Sequence, residues 1–84
     1  MPVNSEIGKT IVYIRKSKGL TQEELAFRCG MSASHLGKIE HGKVNTMINT
    51  LARIAKGLEM ELANLIAISA RAELEKSEEE ENIS

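Results

Sequence analysis

Residues 20–42, LTQEELAFRCGMSASHLGKIEHG, leave room for two short helices and a tight bend between them. The run Thr21, Gln22, Glu23, Glu24 is a capping box: the Thr21 hydroxyl can accept from the Glu24 amide while the Glu24 carboxylate accepts from the Thr21 amide. Leu25, Ala26 and Cys29 then share an inward face, and Gly30 ends the helix after barely two turns. Ser32 is placed to cap a further helix that turns Leu36, Ile39 and part of Glu40 inward and stops at Gly42. At about 100° per residue, Ser34, Lys38 and His41 fall within a narrow arc on its opposite side. That outward face is polar and small.

Helical patterns continue on both sides of this pair. Upstream, Ile7, Ile11 and Ile14 make a stripe over residues 5–18, with Ser5 as the expected cap, Glu6 in the first turn, Arg15, Lys16 and Lys18 near the C-terminal end, and Gly19 as the stop. Downstream, residues 47–57 put Ile48, Leu51, Ile54 and Ala55 on one stripe that Leu58 continues. A fifth helix is expected from about Glu61 to beyond Leu74, with Leu62, Leu65 and Ile66 on one stripe, Ile68 and Ala72 beside it, and Ala67, Ala70 and Leu74 opposite. A helix that is apolar all round is buried on more than one side, and in so small a domain the second cover must come from another chain. The reading is therefore one all-α domain over residues 1–76, including a dimerising fifth helix, and an acidic tail over 77–84 in which four successive glutamates disfavour order.

The bulk numbers agree with that plan. A chain of 84 residues supports one small core, and with one Phe, one Tyr and no Trp that core must be built from aliphatic side chains. Cys29 has no partner for an internal disulfide, no signal-peptide pattern opens the chain, and no apolar run is long enough to span a membrane, so a cytoplasmic protein is expected. Net charge is −1 but unevenly spread: residues 1–58 sum to +5 and residues 59–84 to −6. A basic body with an acidic tail is suited to a polyanion, although solvated helix faces give the same counts. Catalysis finds no foothold, because His35 and His41 lie on different helical faces and there is no carboxylate pair beside a base and no glycine-rich phosphate loop. No metal, cofactor or small-molecule ligand is expected.

Two short helices joined by a glycine-containing turn, the second with a polar outer face, form a helix-turn-helix, whose second helix enters a DNA major groove about 12 Å wide. IVYIRKSKGLTQEELAFRCGMSASHLGKIEHGK, together with LARIAKGLEMELANLI, resembles the Cro and phage-repressor class of helix-turn-helix domains, also called the xenobiotic-response-element family. The likeness covers about residues 6–66 and implies a five-helix, lambda-repressor-like fold. In size and layout the chain is also similar to the controller proteins of restriction-modification systems, which are stand-alone dimers.

The resemblance implies roles for particular residues. Ser32, Ala33, Ser34, His35 and Lys38 sit where the family reads base edges; Gln22, His41, Lys43 and Asn45 sit where it meets phosphates; Arg15 and Glu40 form an ion pair between the first and third helices. Lys38 can donate to guanine O6 or N7, Ser34 can donate or accept, and Ala33 can touch a thymine methyl. Many relatives carry longer side chains at 33 and 34, so a substantial share of specificity is expected from DNA shape and dimer spacing. Gln22 also reads simply as a surface residue near a cap, and either His35 or His41 as a solvated one. Gly37 in mid-helix either permits a close approach or reflects drift. Phe27 is expected under the N-terminal arm, the alternative being a partner surface.

Leu65, Ile68 and Ala72 are the expected dimer contacts. The expected function is a homodimeric transcriptional regulator that binds double-stranded DNA at a roughly palindromic operator. The competing reading is an antitoxin-like or adaptor module that binds another protein through its fifth helix.

Overall fold

The computed structural model describes the backbone of residues 2–83 and the side chains of 5–76. The described residues form five helices and no strand: α1 Pro2–Ser17, α2 Gln22–Cys29, α3 Ala33–Glu40, α4 Ile48–Gly57 and α5 Leu62–Ile83. Local chemistry accounts for most boundaries. The capping box at α2 is formed in both directions, with the Glu24 amide donating to Thr21 Oγ1 at 3.0 Å and the Thr21 amide to Glu24 Oε1 at 2.9 Å. Gly30 closes α2 in the left-handed region at φ 69°, and the Ser32 hydroxyl caps α3 by accepting from the His35 amide at 3.0 Å.

Two boundaries differ from the sequence reading. The first helix starts at Pro2, so Ser5 lies inside it and caps nothing; proline suits a first helical turn because its missing N–H has no partner there in any case. The helical backbone of α5 continues through residues 77–83, where disorder is expected from the charge run, and glutamate is a good helix former.

Every helix contributes to one core. Ile11 from α1, Leu25 from α2, Leu36 and Ile39 from α3, Ile54 from α4 and Leu65 from α5 are essentially inaccessible, as is Leu58 just beyond α4. Three expectations change here. Leu65 is 0% exposed within the single chain, so it closes the core and is not a dimer contact. Ile48, expected on the inward stripe of α4, is 65% exposed, because the core-facing stripe begins a turn later at Leu51. Phe27 is 87% exposed and is not covered by the N-terminal arm. Cys29 is buried beside Leu25 and Ala26, and burial pushes its thiol pKa up, as befits an inert core residue.

Long-range polar contacts fix the helices to one another. Arg15 on α1 donates through Nε to Glu40 Oε2 at 2.8 Å and through Nη2 to Oε1 at 3.3 Å, while Nη1 reaches the Leu20 carbonyl at 3.0 Å. The two side chains are only 10% and 2% exposed. Gly8 lets α1 lie directly against the end of α3, where a Cβ would run into the carbonyl oxygens of Ile39 and Glu40. On the other side of α2, Arg53 of α4 donates to the Cys29 carbonyl at 2.6 and 3.0 Å and to the Gly30 carbonyl at 2.8 Å. Arg28 answers from α2, donating to the Gly57 carbonyl at 3.3 Å. Each arginine satisfies carbonyls at the other helix's end.

Glu40→Ala is expected to cost about 3–5 kcal/mol, since it strands a buried guanidinium, and Gly8→Ala more than about 2 kcal/mol through steric conflict; urea unfolding followed by circular dichroism measures both. The exposed Glu24 carboxyl is held below its ordinary pKa, first by the Thr21 backbone hydrogen bond and then by the Thr21 side chain. Its contribution is therefore full above the ordinary carboxylate range and lost as pH falls through the depressed native value. Glu24→Gln is expected to lose less melting temperature than wild type between pH 7 and about pH 3.

Candidate nucleic-acid interface

The two turns of α3 divide by burial. Leu36, Ile39 and Glu40 point inward, whereas Ser34, His35 and Lys38 are exposed and Ala33 and Gly37 are half-buried. The Ser32 oxygen is occupied by capping, but its O–H remains a donor that a base edge can accept. The outward arc thus carries one cationic side chain, one imidazole and small hydroxyl and methyl groups.

Around this arc the fold gathers residues from two other segments. Gln22, in the first turn of α2, is half-buried and donates through Nε2 to Glu40 Oε1 at 2.9 Å, joining the Arg15 pair. Its amide lies over Gly37, where a Cβ would be 3.3 Å from Nε2 and 3.6 Å from Oε1. His41 caps the end of α3 with its Nδ1 2.7 Å from the Gly37 carbonyl. A carbonyl only accepts, so the proton is on Nδ1 and the neutral ring offers Nε2 as an acceptor; only the imidazolium can donate there to an anion. Lys43 and Asn45 are both exposed in the loop that follows. His35 and Asn45 border a shallow depression of about 200 Å³, together with Ile39, Val44, Thr46, Met47 and Thr50.

All the residues read from the sequence as base or phosphate contacts therefore lie on α3 or its Ser32 cap, on the α2 N-terminus beside it, or on the loop leaving it. Ile68 and Ala72 lie elsewhere, on α5, where Ile68 is 45% exposed and Ala72 half-buried. The sequence reading missed the bond between Gln22 and Glu40, whose residues are eighteen apart, and the exposure of Met47 at 71%. An apolar side chain at a helix start gives no sequence signal that it faces solvent. Among the described residues there is no group of three or more His, Cys, Asp or Glu able to hold a metal, and no helix long and apolar enough to cross a membrane.

Comparison with known proteins agrees with this geometry. The helix-turn-helix family model matches residues 11–65. An uncharacterized HTH-type transcriptional regulator of Sinorhizobium fredii, y4dJ, is 33% identical over 66 residues, spanning 79% of this chain and 86% of that one. Among solved structures, the restriction-modification controller protein C.Esp1396I, a tetramer in complex with its natural 35 base-pair operator, superposes with a TM-score of 0.79 at 30% identity, over 86% of this chain and 95% of that one. The clp gene regulator ClgR of Corynebacterium glutamicum shares the fold, with a TM-score of 0.89 at 22% identity over 96% of this chain and 86% of that one. With two capped helices, a glycine turn between them and a family match that runs from the first helix to the fifth, the chain belongs to the helix-turn-helix family.

Proposed function

We propose that this chain is a sequence-specific, DNA-binding transcriptional regulator that works as a homodimer, each copy laying α3 in the major groove of one half of a roughly palindromic operator. The observation that carries the reading is the exposed polar arc of α3, held against the body by a buried ion pair at its far end. In this reading Lys38 donates to guanine O6 or N7, Ser32, Ser34 and His35 meet neighbouring base edges, and Ala33 touches a thymine methyl. Gln22, Lys43, Asn45 and His41 meet phosphates on either side. The operator complex of C.Esp1396I, at 30% identity, supports the partner. A non-catalytic role in the cytoplasm goes with it.

Pairing is assigned to α5, where Ile68 is 45% and Leu74 64% exposed and Ala72 lies beside them. Burial of those side chains against a second copy supplies the cover that a helix apolar on several sides requires. Two-fold symmetry then sets the half-sites about one helical turn, near 34 Å, apart. The short side chains at 33 and 34 leave much of the discrimination to DNA shape and spacing. Protein concentration, acting through the monomer-to-dimer equilibrium, is the simplest control.

Selection from a random DNA pool is expected to return a palindromic site, bound in fluorescence anisotropy with a steep inverse dependence on salt. Lys38→Ala is expected to weaken that site by about 1–3 kcal/mol and to relax specificity at one position in each half-site. Ile68→Glu is expected to sediment as a monomer and to lose tight binding to the palindrome while retaining its helical circular dichroism. A wild-type monomer with shallow salt dependence would instead favour the adaptor reading.

A further inference from the structure

Glycine in mid-helix is unfavourable, and Gly37 stands in the middle of the helix assigned above to the major groove. The neighbour that uses its missing side chain is the Gln22 amide. A Cβ on residue 37 would stand 3.3 Å from Nε2, 3.6 Å from Oε1 and 3.7 Å from Cδ of Gln22. Contacts as short as the first are rare for a real Cβ, so the amide would have to retreat by a few tenths of an ångström. It has little freedom to do so, because Nε2 is already held at 2.9 Å by Glu40 Oε1, which also accepts from Arg15 Nη2 at 3.3 Å.

We infer that Gly37 and Gln22 act as one positioning unit, in which the absent side chain of Gly37 seats the Gln22 amide against Glu40 and so aims the rest of that amide at a DNA phosphate. The inference rests on the reading of α3 as the groove-facing helix and deepens it. One hydrogen on Nε2 is committed to Glu40, and the second remains available to a phosphate oxygen. The amide therefore bridges the buried ion pair and the DNA backbone, and ties the first turn of α2 to the last turn of α3 while both are bound. Gly37 is in this view a residue that acts through Gln22 and not by touching DNA itself.

An alanine at 37 raises helix propensity and displaces the amide, so its effects on stability and on affinity part company. Gly37→Ala is expected to melt at or above the wild-type temperature and to bind the selected operator about tenfold more weakly. Gln22 is uncharged and releases no counterion, so the slope of log affinity against log salt should stay at the wild-type value, whereas a lost lysine contact lowers it by about one.

The deciding experiment is a double-mutant cycle by fluorescence anisotropy on the full chain with Gly37→Ala, Gln22→Ala and the pair. The expected result is that alanine at 37 costs affinity only when Gln22 is present. An equal cost in both backgrounds would show Gly37 meeting DNA directly and overturn the inference, as would Gly37→Ala binding at wild-type strength while Lys38→Ala is weakened. If the wild-type chain binds no duplex from the pool, the assignment of α3 to the groove fails and takes this inference with it.

Discussion

The orientation of α3 depends on the ion pair between Arg15 and Glu40. Two charges with side chains 10% and 2% exposed are unfavourable to bury unless their hydrogen-bonding capacity is met. Here it is met from three directions. The guanidinium fork takes both carboxylate oxygens and the Leu20 carbonyl, and the Gln22 amide adds a second donor to Glu40 Oε1. Because each partner comes from a different segment, the network is satisfied only when α1, the α1–α2 turn, the start of α2 and the end of α3 are all in place. Apolar contacts such as Leu36 and Ile39 in the core set how deeply α3 lies, but they tolerate sliding and rotation far better than a forked, charge-assisted contact does.

A second constraint works from the opposite end of the motif. The C-terminal carbonyls of α2 are satisfied by Arg53, and the last carbonyl of α4 by Arg28, so the two helix ends are braced reciprocally. Gly57 allows this closeness, since a Cβ there would meet Cys29 Sγ at 2.8 Å and Leu25 Cδ1 at 3.1 Å. The α2–α3 turn is therefore anchored on both sides: by α4 where α2 ends and by α1 where α3 ends. An exposed helix of only two turns has little stability of its own, and this double anchoring is what makes it a defined surface.

The fifth helix has a different balance. Its inner side joins the core through Leu65 and lies along α1, where the buried Glu6 carboxylate has Lys9 and Lys76 both at 3.8 Å and the Ser69 hydroxyl returns its hydrogen to the Leu65 carbonyl at 2.9 Å. Its outer side keeps Ile68 and Leu74 in solvent. One helix thus closes the core on one side and keeps exposed apolar side chains on the other, which explains an apolar pattern that belongs to no single face.

How far the sequence can be read follows from the range of the interactions. Caps act across three or four residues, so Thr21, Glu24, Gly30 and Ser32 were sufficient to locate α2, α3 and the turn between them, and the stripe of Leu51, Ile54 and Ala55 to locate α4. The arc of Ser34 and Lys38 follows from helical geometry once those ends are known. Burial and long-range pairing do not follow, because they depend on which helix lies opposite. Only the packed structure decided that Leu65 is core and Ile48 surface, that Phe27 has no cover, and that the Gln22 amide rests on Gly37 and Glu40. Periodicity states that a residue lies on an apolar stripe; it does not state where along that stripe the neighbouring helix begins and ends.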